Sequence, residues 1–137
     1  MKVKPALVYI VDDDQVVTLL HTLHIKRQEL AEDIHAFLDA KIALQSLHSL
    51  VGEDQRLLIF LDLNMPEMNG WEFLTQLQQQ QFPLDIKVII VTSSLSKSDK
   101  EKSAEFDLVI DFWEKPMAPD QILQLKERLG DWISGIG

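Results

Sequence analysis

Cysteine is absent from the 137 residues. That excludes disulfides, thiolate metal sites and thiol catalysis, and it leaves the redox compartment open. Basic residues are in the minority: 13 Lys and Arg stand against 22 Asp and Glu, a formal net charge of −9. Non-specific nucleic-acid binding needs a cationic surplus to displace counterions, so nucleic acid is not an expected partner. The acidic balance is compatible with a basic or metal-binding partner. No run approaches the roughly 18 apolar residues needed to cross a bilayer. Residues 1–5 are polar, lead straight into a strand-like run and lack the apolar segment of a secretory leader. No membrane association is expected, and the expected location is the cytoplasm.

What remains is the material of one globular domain. A hydrophobic share of 46% suffices for a sizeable core at this length. Short apolar runs occur at 6–11, 57–61 and 87–91, with weaker ones at 34–38 and 108–113. The strongest three are nearly continuous in Leu, Ile, Val, Phe and Tyr, the pattern of strands covered on both faces. Amphipathic stretches alternate with them. Val17, Leu20 and His24, with Leu23 beside them, are spaced at three to four. So are Leu44, Leu47 and Val51; Phe73 or Leu74 with Leu77; and Ile122, Leu125, Leu129 with Trp132. Residues 96–106 form a weaker face, with Ser98 and Glu101 placed for a capping box. The spacing predicts five strands and five helices in alternation. The expected fold is α/β, a doubly wound five-stranded parallel sheet in strand order 2-1-3-4-5 between two helical layers. No repeat, linker or second domain is evident. Residues 1–137 are expected to form a single domain with a core over about 5–130 and no output domain, its last residues, 134–137, fraying.

The chemistry-bearing residues cluster by position. Strand one ends in Asp12, Asp13 and Asp14, strand three in Asp62, strand four in Thr92, and Lys115 follows strand five. The strand order sets these ends side by side, so the groups should converge on one surface. Three packed carboxylates repel unless something neutralises them. A hard divalent cation such as magnesium does so with oxygen ligands, and it shares phosphate oxygens. A carboxylate is also a competent nucleophile for phosphoryl transfer, forming an aspartyl phosphate. Lys115 and the Thr92 hydroxyl would supply further contacts to the transferring group. Plainer readings exist for each part. The acidic run could cap a helix, with Asp14 only a cap. Asp62 could be a loop residue, Thr92 another cap, and Lys115-Pro116 a turn. All four coinciding at matched strand ends favours the site.

These residues resemble the receiver domains of response regulators, the CheY-like modules of two-component signalling. VYIVDDDQ at 8–15 is similar to the family's acidic-pair segment. LDLNMPEMNG at 61–70 resembles its phosphoacceptor motif, D-x-x-M-P-x-M-x-G, at every defining position. VIIVTSS at 88–94 resembles the switch-hydroxyl segment, and FWEKP at 112–116 the aromatic-x-x-Lys-Pro segment. The resemblance implies a flavodoxin-like three-layer sandwich. It implies Asp62 as acceptor of a phosphoryl group from a sensor histidine kinase or histidine phosphotransfer protein. It implies magnesium held by Asp13, Asp62 and the backbone carbonyl of Asn64, with Asp12 acting through a metal-bound water. Lys115 would contact the phosphoryl group, Thr92 would move toward it, and Phe112 would swing inward. Asn64 and Ser94 occupy positions similar to those that tune dephosphorylation, and the Lys115-Pro116 bond is usually cis in the family. The implied protein is a phosphoacceptor, not an enzyme in the ordinary sense. Its output would be contact with an unidentified downstream protein, or relay, and the chain would be a monomer or weak dimer.

Departures from the family pattern are local. Ser93 stands where a smaller residue is usual, Phe112 lacks a tyrosine hydroxyl, and Asp111 replaces a frequent Gly. Met65-Pro66 stiffens the loop after strand three, and Gly70 permits tight entry to the next helix. Trp113, Trp71, Phe73 and Trp132 are read as packing residues. His21 and His24 could face one metal, but no third ligand is evident; His35 and His48 are read as surface or packing residues. The helix over 96–106, strand five and the last helix would form the family's usual output face. Two rivals are a small metal-dependent phosphohydrolase and an interaction module that has lost phosphorylation. The first is disfavoured by Asn64, where a second acid is expected. The second is disfavoured by the intact Asp13, Asp62, Thr92 and Lys115.

Overall fold

The computed structural model describes residues 5–50, 55–93 and 96–135. Five strands run through the centre: β1 (Leu7–Val11), β2 (Ile34–Phe37), β3 (Arg56–Leu61), β4 (Asp85–Thr92) and β5 (Val109–Glu114). They are all parallel, in the order β2-β1-β3-β4-β5. The two-sided burial expected from the apolar runs is present. Tyr9, Val11, Leu57, Ile59, Leu61, Val88 and Ile90 point to one face, and Val8, Ile10, Leu58, Phe60, Ile89 and Val91 to the other. Period-two alternation explains why consecutive residues serve opposite layers.

Helices cover both faces. The first face is covered by α2 (Ala40–Ser46), which runs on as a short 3-10 turn, and by α3 (Gly70–Gln80). The second is covered by α1 (Gln15–Arg27) and α5 (Pro119–Leu129). The helices α1, α2 and α3 start where the sequence supplies a cap. Asp14 accepts from the N–H groups of Val16 and Val17, Asp39 from Lys41 and Ile42, and Asn69 and Glu72 form a reciprocal capping box.

Four expectations need correction. The buried face of α1 is Thr18, His21 and Ile25, not Val17, Leu20 and His24. Apolar residues surround this helix, so spacing alone could not choose a side; Leu19, Leu20 and Leu23 are exposed. The fourth helix, α4 (Lys97–Ser103), is capped by Ser96 accepting from Asp99 N–H, not by Ser98 with Glu101. The final stretch breaks at Gly130, whose φ of 47° ends α5, and restarts as α6 (Asp131–Ser134), so the described residues hold six helices where five were expected. Trp132 therefore lies on α6, where its Nε1 donates to Asp85 and its carbonyl accepts from Arg56. Val51 lies outside the described residues, as do the last two of the four expected to fray.

Gly70 sits where α3 leaves the loop after β3. Its N–H donates to the Leu63 carbonyl at 3.0 Å. A Cβ there would lie 2.6 Å from the Asp62 carbonyl oxygen and 2.9 Å from Leu63 Cα. Backbone cannot yield cheaply, so Gly70→Ala is expected to cost about 1–3 kcal/mol of stability. Urea denaturation checks this; a wild-type midpoint would contradict it.

Candidate functional site

The loops at the carboxyl ends of the strands are pinned by the sheet itself. The Asp62 N–H donates to the Val11 carbonyl at 2.9 Å, and the Asp12 N–H to the Phe37 carbonyl at 3.0 Å. The Lys115 N–H donates to the Thr92 carbonyl at 2.7 Å. These bonds extend the strand ladders one residue past β1, β3 and β5, so the functional side chains start from fixed backbone. Asp12 and Asp62 are each 3% exposed and Thr92 is fully buried, while Asp13 is exposed.

The predicted groups do converge. One carboxylate oxygen from each of Asp12, Asp13 and Asp62 lies within 4.8 Å of the other two. The Lys115 ammonium sits 3.0 Å from Asp12 Oδ2 and 3.5 Å from Asp62 Oδ2. Asp12 Oδ1 accepts from the Asp14 N–H at 2.9 Å. Asp14 itself is committed to capping α1, the plainer of its two readings. Asp62 Oδ1 and Thr92 Oγ1 are buried without hydrogen-bond partners among the described residues. Such atoms are costly unless a ligand completes them. The Lys115-Pro116 bond is cis.

Three carboxylates face one ammonium, and the imbalance shows in their proton affinities. Burial, then the neighbouring Asp12, pushes the Asp62 carboxyl up to about 6 against the pull of Lys115 and the Asn64 N–H. Burial likewise raises Asp12, countered by the Asp14 N–H and Lys115. Burial pulls Lys115 down, but its bonds and proximity to Asp12 and Asp62 outweigh that and raise it, so it stays an ammonium. A hard divalent cation fits this donor set of carboxylate oxygens, and the unpartnered Asp62 Oδ1 is a ready ligand atom. Asn64 follows Asp62 with an exposed side chain.

Phe112 is half-buried against the core layer of α2 and α3. Its N–H donates to Asp111, whose other oxygen pairs with Arg128 on α5 at 2.9 Å. Beside it β5 carries one extra residue, Ile110, because Val88 pairs with Val109 and Ile89 with Asp111. Trp113 is buried 6.0 Å from Phe60, a packing residue as expected. Ser93 is exposed, and Ser94 lies outside the described residues.

The histidines divide. His35 pairs with Asp33 at the surface, and His48 sits edge-on to Phe82. His21 does not form a metal pair with His24: it is 1% exposed, and its Nε2 accepts from the Met117 N–H at 3.1 Å. Burial, then His24 and Lys115, lowers it to about 4. No local signal announces a contact across 96 residues.

The raised Asp62 carboxyl has a measurable consequence. Its ionised form costs folding free energy fully above pH of about 6, and the cost vanishes as the pH falls toward the ordinary 3.8. In metal-free protein at pH of about 7.5, Asp62→Asn is expected to stabilise the fold by on the order of 1–3 kcal/mol. That gain should shrink as acid protonates the wild-type carboxyl. Denaturation in chelator across the pH range checks this; a pH-independent or negative effect would contradict it.

Comparison with known proteins agrees with this geometry. The family profile of the response regulator receiver domain matches residues 8–127. A two-component response regulator from Cytophaga hutchinsonii superposes with a TM-score of 0.80 at 26% identity, over 92% of this chain and 97% of that one. A two-component response regulator from Legionella pneumophila gives 0.73 at 26% identity, over 90% and 97%. The "probable methanogenesis regulatory protein FilR2" of Methanothrix harundinacea is 25% identical over 133 residues, covering 96% of this chain and 85% of that protein. Receiver domains take phosphoryl groups from histidine kinases or phosphotransfer proteins and bind magnesium at an acidic cluster. With the sheet order, the three acids and the lysine in place, the chain belongs to the response-regulator receiver family, the phosphoacceptor modules of two-component signalling.

Proposed function

We propose that this receiver domain accepts a phosphoryl group on Asp62 from a histidine kinase or histidine phosphotransfer protein. The observation that carries the reading is the state of Asp62. It is a buried carboxylate with one oxygen near Lys115 and the other, like the Thr92 hydroxyl at the neighbouring strand end, without a hydrogen-bond partner among the described residues. One oxygen of that carboxylate is the nucleophile, and the other remains for the cation. The nucleophilic oxygen forms a P–O bond as the P–N bond of the donor phosphohistidine breaks, and the electron pair leaves on the imidazole.

Asp13 and Asp62, with the Asn64 backbone carbonyl, would hold magnesium, and Asp12 would reach it through water. Bound there, the cation neutralises charge between the carboxylates and the phosphoryl oxygens. Lys115 holds the resting carboxylates together, and its ammonium shifts its contact toward the phosphoryl oxygens as they arrive. The Thr92 hydroxyl, without a hydrogen-bond partner among the described residues, gains one in the phosphoryl group. Its movement gives Phe112 room to turn inward, so the face of α4, β5 and α5 carries the signal. Output is then contact with a protein partner or relay to another histidine, in the cytoplasm, from a monomer or weak dimer.

Incubation with acetyl phosphate and magnesium should add one phosphoryl mass per chain, and Asp62→Asn should abolish it. Lys115→Ala should slow it by on the order of tenfold or more, through the lost charge contact. No addition to wild type, or addition surviving in Asp62→Asn, would overturn the assignment. Thr92→Val should still take the phosphoryl group while losing the phosphorylation-induced shift of Phe112 in NMR spectra; an unchanged Phe112 shift would remove Thr92 from the switch.

A further inference from the structure

His21 has no part in the chemistry above, yet it is among the most buried polar side chains of the protein. It lies on the packed face of α1 between Thr18 and Ile25. A residue serving only to fill that layer would be aliphatic, as Ile25 is; an imidazole there needs a partner. The partner is the backbone N–H of Met117, 3.1 Å from His21 Nε2, in a fully buried hydrogen bond. Met117 is itself buried in the layer between the sheet and the helices α1 and α5.

The position of that bond along the chain matters. Lys115 is held from the N-terminal side, where its N–H meets the Thr92 carbonyl at the end of β4. After it the chain leaves the sheet, and Pro116 has no N–H to offer. Met117 supplies the next backbone donor, and His21 receives it. Ala118 then donates to Gln121 on α5. The loop bearing the lysine is thus fastened on both sides, and its second fastening is a side chain from α1. That same helix is capped by Asp14, directly after the acidic pair.

We propose that His21 is a positioning residue for the phosphoryl-transfer site: as a neutral acceptor for the Met117 N–H it fixes the loop that places the Lys115 ammonium between Asp12 and Asp62. The inference rests on the role given to Lys115 above. Acceptance at Nε2 requires the ring proton on Nδ1. The downward push on this histidine from burial, His24 and Lys115 keeps it uncharged at neutral pH. The tolerance of such a site is small, since contacts to a transferring group hold only within about 0.5 Å.

Three variants test it. His21→Gln places an amide oxygen near the position of Nε2 and keeps the acceptor. His21→Leu removes it. Ile25→Val perturbs the same helix layer without touching the loop. With acetyl phosphate and magnesium, at a temperature where each is folded, His21→Leu should phosphorylate about five- to tenfold more slowly. His21→Gln should stay within about twofold of wild type, and Ile25→Val should match wild type whatever its stability. A wild-type rate in His21→Leu, or equal slowing in His21→Gln, would overturn the proposal.

If His21→Leu does not fold, nitrogen-15 NMR of the wild-type ring decides. The Nδ1–H tautomer should persist from about pH 6 to about pH 8, and the Met117 amide should exchange slowly in wild type and His21→Gln alike. An Nε2–H tautomer, or a fast-exchanging Met117 amide, would overturn it. These spectra do not depend on phosphorylation. A wild-type protein that takes no phosphoryl group would therefore defeat the functional reading while leaving the His21–Met117 contact to be judged by NMR.

Discussion

A single ammonium wedged between two buried carboxylates is the contact on which the site depends. Lys115 lies 3.0 Å from Asp12 and 3.5 Å from Asp62, and neither acid has enough water to carry its charge alone. The pairing is incomplete by design of the charges: three acids meet one cation. Attraction to Lys115 suffices to hold the pocket closed, but not to return Asp62 to an ordinary carboxylate. That deficit leaves the pocket receptive to a further cation, which would restore the neutrality that burial removes.

The parallel sheet makes this arrangement possible. Because β1, β3, β4 and β5 lie side by side in the same direction, residues distant in sequence end at one edge. The ladder bonds from Asp62 to Val11 and from Lys115 to Thr92 carry the register of the core into the loops. Strand cores packed on both faces leave little freedom for slippage, since a one-residue shift would turn every side chain to the wrong layer. Gly70 adds a tight limit on the other side of Asp62, letting α3 start against the Asp62 carbonyl.

Much of this was legible in the sequence, for a physical reason. Strands buried on both faces must be continuously apolar, so their ends are sharp, and Asp12, Asp62 and Thr92 mark them directly. The parallel direction then follows from helix-length crossovers, and the strand order from the doubly wound class. Elsewhere the local pattern underdetermined the answer. The helix α1 carries apolar residues on most of its surface, so only tertiary packing chose Thr18, His21 and Ile25 over Leu20 and Leu23. Ser96 and Ser98 both stand near the start of α4 as possible caps, and the Asp99 N–H donates to Ser96. A helical period ran through Gly130, but the backbone turns left-handed there and places Trp132 on a separate turn. The contact from His21 to Met117 had no signature at all, because it joins two segments that only the fold brings together.

The charge balance of the pocket is reported most directly by one group, the Asp62 carboxyl. Carbon-13 labelling of the aspartates allows the Asp62 carboxyl to be titrated by NMR in chelator and again with saturating magnesium. The metal-free midpoint is expected at about 6 and should fall sharply when magnesium is present. A midpoint at the ordinary 3.8 that ignores magnesium would contradict this.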